Sequence, residues 1–179
     1  VLKANYYLDC HGADIFESEI WAVMYYKTGD EVEKKSEAIA RATGLKYILP
    51  TVYHGSMGQE AAKRGVAGSL YEFCSTGGKL LPEESSALFE STINVMRHLG
   101  MMEGKPKDIE GQPSAKPGQK PVIWSGDAST YFTTSGLFRC SVKPGDVLKK
   151  GQVIGTVTNL YGDVLETIHA PATGRIRIM

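Results

Sequence analysis

Residues 8–18 read LDCHGADIFES: an apolar run that ends in an acid, a cysteine, a histidine and a glycine. The pattern is that of a buried strand giving way to a loop. In α/β proteins that junction is where ligands and catalytic groups collect. His11 is therefore the first candidate functional residue. Asp9 is read as turned to the opposite side of the strand, free to orient another group or to cap the next turn. His11 and Asp14 form an H-x-x-D string, but Gly12 argues against a helix presenting both on one face. A metal site built from those two alone is not expected.

Working outward, residues 1–9 read as a strand and residues 20–26 as a second one. A helix follows. Asp30 is a good N-cap, Glu33 stands three residues later in a capping-box pattern, and Val32, Ala38, Ile39 and Ala42 mark an apolar face. Gly44 fits the residue that closes it. Residues 58–64 read as a short helix ended by Gly65, and residues 66–74 as an apolar stretch that holds one acid, Glu72. The strongest helix spans residues 82–99, with Pro82 at its first position, Gly100 as its stop, and Arg97 and His98 complementing the dipole at its end. Leu88, Val95 and Leu99, flanked by Ile93 and Met96, are its expected buried face.

The composition shifts after Met102. Residues 103–120 are rich in Lys, Pro, Gly and Gln and read as a linker or a long exposed crossing. Beyond them come short β-like runs at 121–124, 130–133, 137–142, 153–158 and 164–170, separated by turns such as Lys143-Pro144-Gly145-Asp146. Such spacing argues for a small all-β module. The expected organisation is an α/β domain over residues 1–102, the crossing over 103–120 and a β-domain over 121–179.

The 179 residues are 42% hydrophobic and 22% charged, with a formal net charge of zero. That composition is of the soluble globular kind and gives no reason to expect nucleic acid as a partner. No apolar stretch approaches the roughly 20 residues that span a bilayer, so no membrane association is expected. Cys10, Cys74 and Cys140 are odd in number and far apart, form no C-x-x-C pair, and read as buried free thiols, which makes a reducing cytoplasm the expected location.

Glu72 is the second candidate. It lies in SLYEFCSTGG, inside an apolar stretch that runs into a Thr-Gly-Gly loop. Desolvation there would raise its pKa toward the range useful for a general base or acid. The alternative is an edge-strand Glu that points to water. His54, His98 and His169 read as structural or exposed. No G-x-S-x-G elbow and no phosphate-binding loop occurs.

These pieces, in this order, resemble the succinylglutamate desuccinylase/aspartoacylase family, zinc hydrolases related to the metallocarboxypeptidases. LDCHG resembles the family's third-ligand motif, a strand ending in Asp-Leu-His, with Cys10 in place of Leu. YEFCSTGG is similar to the catalytic-glutamate segment, and NVMRHLGMM to the helix end that follows it. SGLFRCSVKPGDVLKKGQVIGTVTNLYGDVLETIHAPATGRI resembles the family's C-terminal β-domain almost throughout. The resemblance implies a zinc-carboxypeptidase-like mixed α/β sheet followed by a small barrel-sandwich-like β-domain. It makes His11 a Zn2+ ligand and Glu72 the catalytic base and acid. It also implies a deacylase cutting the carbon–nitrogen bond of a small N-acyl amino acid or amide.

The family's other two zinc ligands come from an H-x-x-E motif upstream, and no H-x-x-E string occurs here. The family's upstream Asn-Arg segment has no counterpart, and Gly58 and Gln59 stand where an Arg often precedes the short helix. The chain is therefore expected to be part of a longer enzyme, inactive by itself, and exposed edge strands could drive self-association. The other reading is a non-catalytic remnant or binding module that retained the fold. Residues 142–174 also look like a biotinyl/lipoyl-type barrel. The hairpin NLYGDVLE contains no lysine, so an attached cofactor is not expected.

Overall fold

The computed structural model describes residues 3–12, 14–73, 79 and 81–179. Two units emerge, residues 1–125 and 126–179. The first is built on a five-stranded mixed sheet of order β1-β4-β2-β3-β5. Its strands are β1 (Tyr6–His11), β2 (Ala22–Tyr26), β3 (Tyr47–Thr51), β4 (Ala67–Glu72) and β5 (Val122–Ile123). β1 runs parallel to β4, β4 antiparallel to β2, and β2, β3 and β5 parallel to one another. The helices are α1 (Glu31–Ala42), α2 (Met57–Ala62) and α3 (Pro82–His98).

The caps follow the local chemistry. The Asp30 carboxylate accepts from the Val32 and Glu33 amides at the start of α1. Glu33 reaches back further than a simple capping box and accepts from the Thr28 and Gly29 amides at 2.9 and 2.7 Å. Ser56 caps α2 through the Gln59 amide. Gly44 takes φ +84° just past α1, as the C′ position requires.

Strand alternation divides the core. On one face Val23, Tyr25, Ile48 and Tyr71 pack with Ala40 of α1 and Ala87 of α3. On the other Ala22, Met24, Tyr26, Tyr47, Leu49 and Leu70 pack with Ala62 of α2. Of the face expected for α3, Val95 is buried and Leu88 packs against the core, but the rest of the buried stripe is Glu84, Ala87, Ser91 and Asn94. Two of its polar residues, Glu84 and Asn94, have partners there. Trp21 Nε1 donates to Glu84 Oε1 at 3.1 Å. Asn94 Nδ2 donates to the carbonyls of Thr43 and Lys107, and Asn94 Oδ1 accepts from the Lys107 amide. Trp21→Phe removes one donor from a buried carboxylate and is expected to cost about 1–2 kcal/mol, read as a lowered urea midpoint.

Residues 103–120 cross back along the first unit. Ile109 is buried, and Gln112 accepts from the Lys46 amide while donating to the Gly44 and Ile109 carbonyls. Val122 and Ile123 then pair with Tyr47 and Ile48. The unit boundary thus falls at 125/126, a few residues beyond the 120/121 junction suggested by composition, because β5 completes the first sheet.

The second unit holds a three-stranded antiparallel sheet, β6 (Leu137–Cys140), β8 (Val153–Thr158) and β9 (Val164–His169), in the order β6-β8-β9. A two-stranded ribbon pairs β7 (Val147–Leu148) with β10 (Gly174–Arg175). Leu148, Ile154, Val157, Ile168 and Ala170 form its core. Residues 130–133, expected as a strand, form none. The Glu166 carboxylate instead accepts from the Thr133 and Thr134 amides and the Thr133 hydroxyl.

Cys10 and Cys140 are exposed rather than buried, because β1 and β6 are edge strands; Cys74 lies outside the described residues. Among the described residues, no helix is long and apolar enough to cross a membrane.

Candidate functional site

The parallel β1–β4 ladder runs in register from Tyr6↔Ala67 to His11↔Glu72. The two candidate residues, far apart in sequence, therefore end neighbouring strands side by side. Ala22 of β2 completes the row on the other flank of Glu72. Residues directly opposite in a ladder project to the same face, so His11 and Glu72 share the α2 side of the sheet. The next amide continues the ladder, Phe73 N–H donating to the His11 carbonyl at 3.3 Å.

β4 is a central strand, flanked by β1 and β2, and Glu72 is half-buried. The edge-strand alternative for Glu72 does not apply. The His11 side chain is 48% exposed at the open edge. The Thr-Gly-Gly loop after Glu72 lies outside the described residues.

Asp9 corrects an expectation. Its carboxylate Oδ1 lies 3.2 Å from His11 Nε2. A strand carried through His11 was expected to turn Asp9 to the opposite side, but β1 runs through His11, and residues i and i+2 of a strand line one face. The same face continues to Tyr7, whose hydroxyl donates to Asp9 Oδ2 at 2.8 Å. Burial, with the Asp9 hydrogen bond and charge adding to it, pushes the Tyr7 phenol up to about 12. Tyr26 is likewise raised to about 12, chiefly by burial, and the Asp9 and Glu72 carboxylates both contribute. Tyr7, Asp9, His11 and Glu72 thus stand on one face, with the Tyr26 phenol within reach of both acids' field. Sequence reasoning missed Tyr7; alternation along β1 was the signal that could have found it.

The other histidines lie apart from this group. His54 is in an exposed turn, His98 closes α3, and His169 Nδ1 sits 2.9 Å from the Gly151 carbonyl. Among the described residues no set of three or more His, Cys, Asp or Glu side chains is gathered to hold a metal ion. What is present fits one ligand of such an ion: an imidazole backed at one nitrogen by a carboxylate, as metal-bound histidines usually are, with a second carboxylate in the adjacent strand.

In the second unit the β8–β9 hairpin is pinned by Asn159, whose Oδ1 accepts from the Tyr161 and Asp163 amides and whose Nδ2 donates to Asp163 Oδ2. Its tip displays Leu160 and Tyr161, 86% and 93% exposed.

No protein-family model matches the sequence, and no curated protein does either. Solved structures do. The chain superposes on the apo ectoine utilization protein EutE (DoeB) from Ruegeria pomeroyi with a TM-score of 0.81 at 18% identity, covering 99% of this chain and 55% of that one. The product-bound form of that protein gives a TM-score of 0.82 at 18% identity, with 98% and 53% coverage. A succinylglutamate desuccinylase/aspartoacylase from Rhodobacter sphaeroides gives 0.78 at 17% identity, with 99% and 58% coverage. The chain shares the fold of the succinylglutamate desuccinylase/aspartoacylase proteins. It spans a little over half the length of each of these structures.

Proposed function

We propose that this chain carries the His11–Glu72 part of the active site of a zinc-dependent hydrolase acting on N-acyl amino acids or related small amides. The supporting observation is the β1–β4 register, which sets an imidazole and a half-buried carboxylate abreast at the ends of two parallel strands. The shared fold raises the prior for that chemistry and does not replace the site argument.

His11 is the proposed ligand. A zinc ion held there with an open coordination position would acidify a bound water and polarise the substrate carbonyl. Glu72 accepts the proton of the attacking water and delivers it to the nitrogen of the departing amine, so the broken carbon–nitrogen bond leaves a carboxylic acid and a free amine. The Asp9 carboxylate stands 3.2 Å from Nε2 of the same ring.

His11→Ala is expected to lower zinc affinity at least tenfold in the product of the native gene, because losing a direct ligand should cost more than the roughly 10–100-fold effect of losing a group that only orients one. Equilibrium competition with a fluorescent chelator measures it. Unchanged zinc affinity in that variant refutes the assignment. The 179 residues taken alone, with a single ligand in the described site and no H-x-x-E string, are expected to bind zinc weakly and to release no amine from N-acetyl or N-succinyl amino acids.

A further inference from the structure

We propose that Trp21 is a positioning residue for Glu72, joining the strand end that carries this carboxylate to the start of α3; the effect on turnover rests on reading Glu72 as the base. Strand alternation supplies the first step. Tyr71 and Phe73 flank Glu72, and the pleat sends both to the face opposite it. Both are buried there in the cluster that holds Ala40 of α1 and Ala87 of α3. A glutamate whose two neighbours are anchored on one face has little freedom to turn from the other.

Trp21 supplies the anchor. It precedes Ala22, the β2 residue paired with Glu72, and its side chain lies in the same cluster as Phe73. The Trp21 and Phe73 ring centroids are 5.4 Å apart, and Phe73 meets Tyr71 edge-on at 6.0 Å. Both separations fall in the range of favourable aromatic contact. The indole is held in turn. Its Nε1 donates to Glu84 Oε1 at 3.1 Å, and the other oxygen of Glu84 accepts from the Leu81 amide at 3.2 Å. Leu81 is the N-cap of α3 and Glu84 lies in the first turn, where the helix dipole favours a carboxylate. Each oxygen of this buried group thus has its own donor, one from the residue before β2 and one from the helix entry.

The consequence for Glu72 follows from this lock. Without the indole N–H the ring at position 21 has no tether, Glu84 loses a donor, and Phe73 loses its fixed neighbour. The Glu72 carboxylate then spreads over more orientations. Misplacing a reacting group by about 1 Å can cost about a hundredfold in rate, so the loosened strand end should be read in turnover. Trp21 touches neither substrate nor the transferred proton in this scheme; it acts through Phe73 and the backbone of Glu72.

The test is Trp21→Phe, which keeps an aromatic ring and removes the N–H. In the product of the native gene, assayed well below its unfolding temperature, kcat should fall at least about tenfold with KM and zinc content unchanged. Ile39→Val, at a buried position of α1 outside the lock, controls for lost stability and should keep the wild-type kcat. A smaller loss in Trp21→Phe, or an equal loss in Ile39→Val, overturns the proposal. A second arm follows amide hydrogen exchange in the 179-residue chain. The Phe73 and Leu81 amides, which donate to the His11 carbonyl and to Glu84, should exchange about tenfold faster in Trp21→Phe while those of α1 keep their rates. Unchanged exchange at either amide overturns the lock. Faster exchange with full activity, in an enzyme that Glu72→Gln inactivates, overturns the positioning role and leaves Glu72 as the base. Activity that survives Glu72→Gln overturns the reading of Glu72 as base, and the positioning role with it, whatever the exchange rates.

Discussion

Glu72→Gln is expected to cut hydrolysis of an N-acyl amino acid by about 10²–10⁴-fold in the product of the native gene, the usual range for loss of a general base. Glutamine keeps the shape and one oxygen of the side chain but cannot take a proton from water. Glu72 ends a central strand, and its neighbours in the row are His11 and Ala22. The amide should therefore be accommodated without displacing β1 or β2. The loss should fall on kcat, with KM and zinc content little changed, because the carboxylate is assigned to proton transfer and not to holding metal or substrate. A loss smaller than about tenfold would remove Glu72 from the proposed mechanism.

Gly44→Ala should be the most damaging small substitution among the positions that hold the crossing segment, at about 3 kcal/mol. Two effects add. Gly44 sits at φ +84°, where an L-residue pays about 1–2 kcal/mol. A Cβ there would also meet the Lys107 carbonyl oxygen at 2.2 Å and Asn94 Nδ2 and the Ile109 amide nitrogen at 3.1 Å. The nearest obstacle is backbone, which cannot swing aside, and overpacking of this kind costs about 1–3 kcal/mol. The Gly44 carbonyl accepts from the Ile109 amide and from Gln112, so yielding would loosen residues 107–112 from α1. Urea unfolding followed by circular dichroism should show a lower midpoint at unchanged m. A loss below about 1 kcal/mol would mean the crossing segment is not tightly seated.

Gly44 also shows how far the sequence carries. Its position after an apolar helical stripe was enough to assign the C′ role, since that requirement is local. The carbonyl of Lys107 pressing on it is not local, and nothing in the spacing announces it. Asp30 and Glu33 were legible for the same reason as Gly44. On α3 the periodicity picked out Val95 and Leu88 but not the rest of the stripe, because it searches for apolar residues and the stripe holds Glu84, Ser91 and Asn94, two of which are made tolerable by Trp21, Thr43 and Lys107. β5 was assigned to the wrong sheet because a two-residue strand carries no period; only its pairing with β3 places it.

The site divides in the same way. His11 and Glu72 were each identifiable as polar groups at the end of an apolar run. Their adjacency depends on a parallel pairing across a long crossover, which a linear pattern does not encode. Asp9 was set on the wrong side by the alternation itself, since residues two apart on a strand share a face, and Tyr7, two residues further back, was missed with it.

The central claim, that His11 belongs to a zinc site with Glu72 as its base, is tested most directly by metal analysis of the native gene product. Inductively coupled plasma mass spectrometry should find about one zinc per chain, lost in His11→Ala and retained in Glu72→Gln. Metal-free wild-type protein, or a zinc content that His11→Ala leaves unchanged, would contradict it.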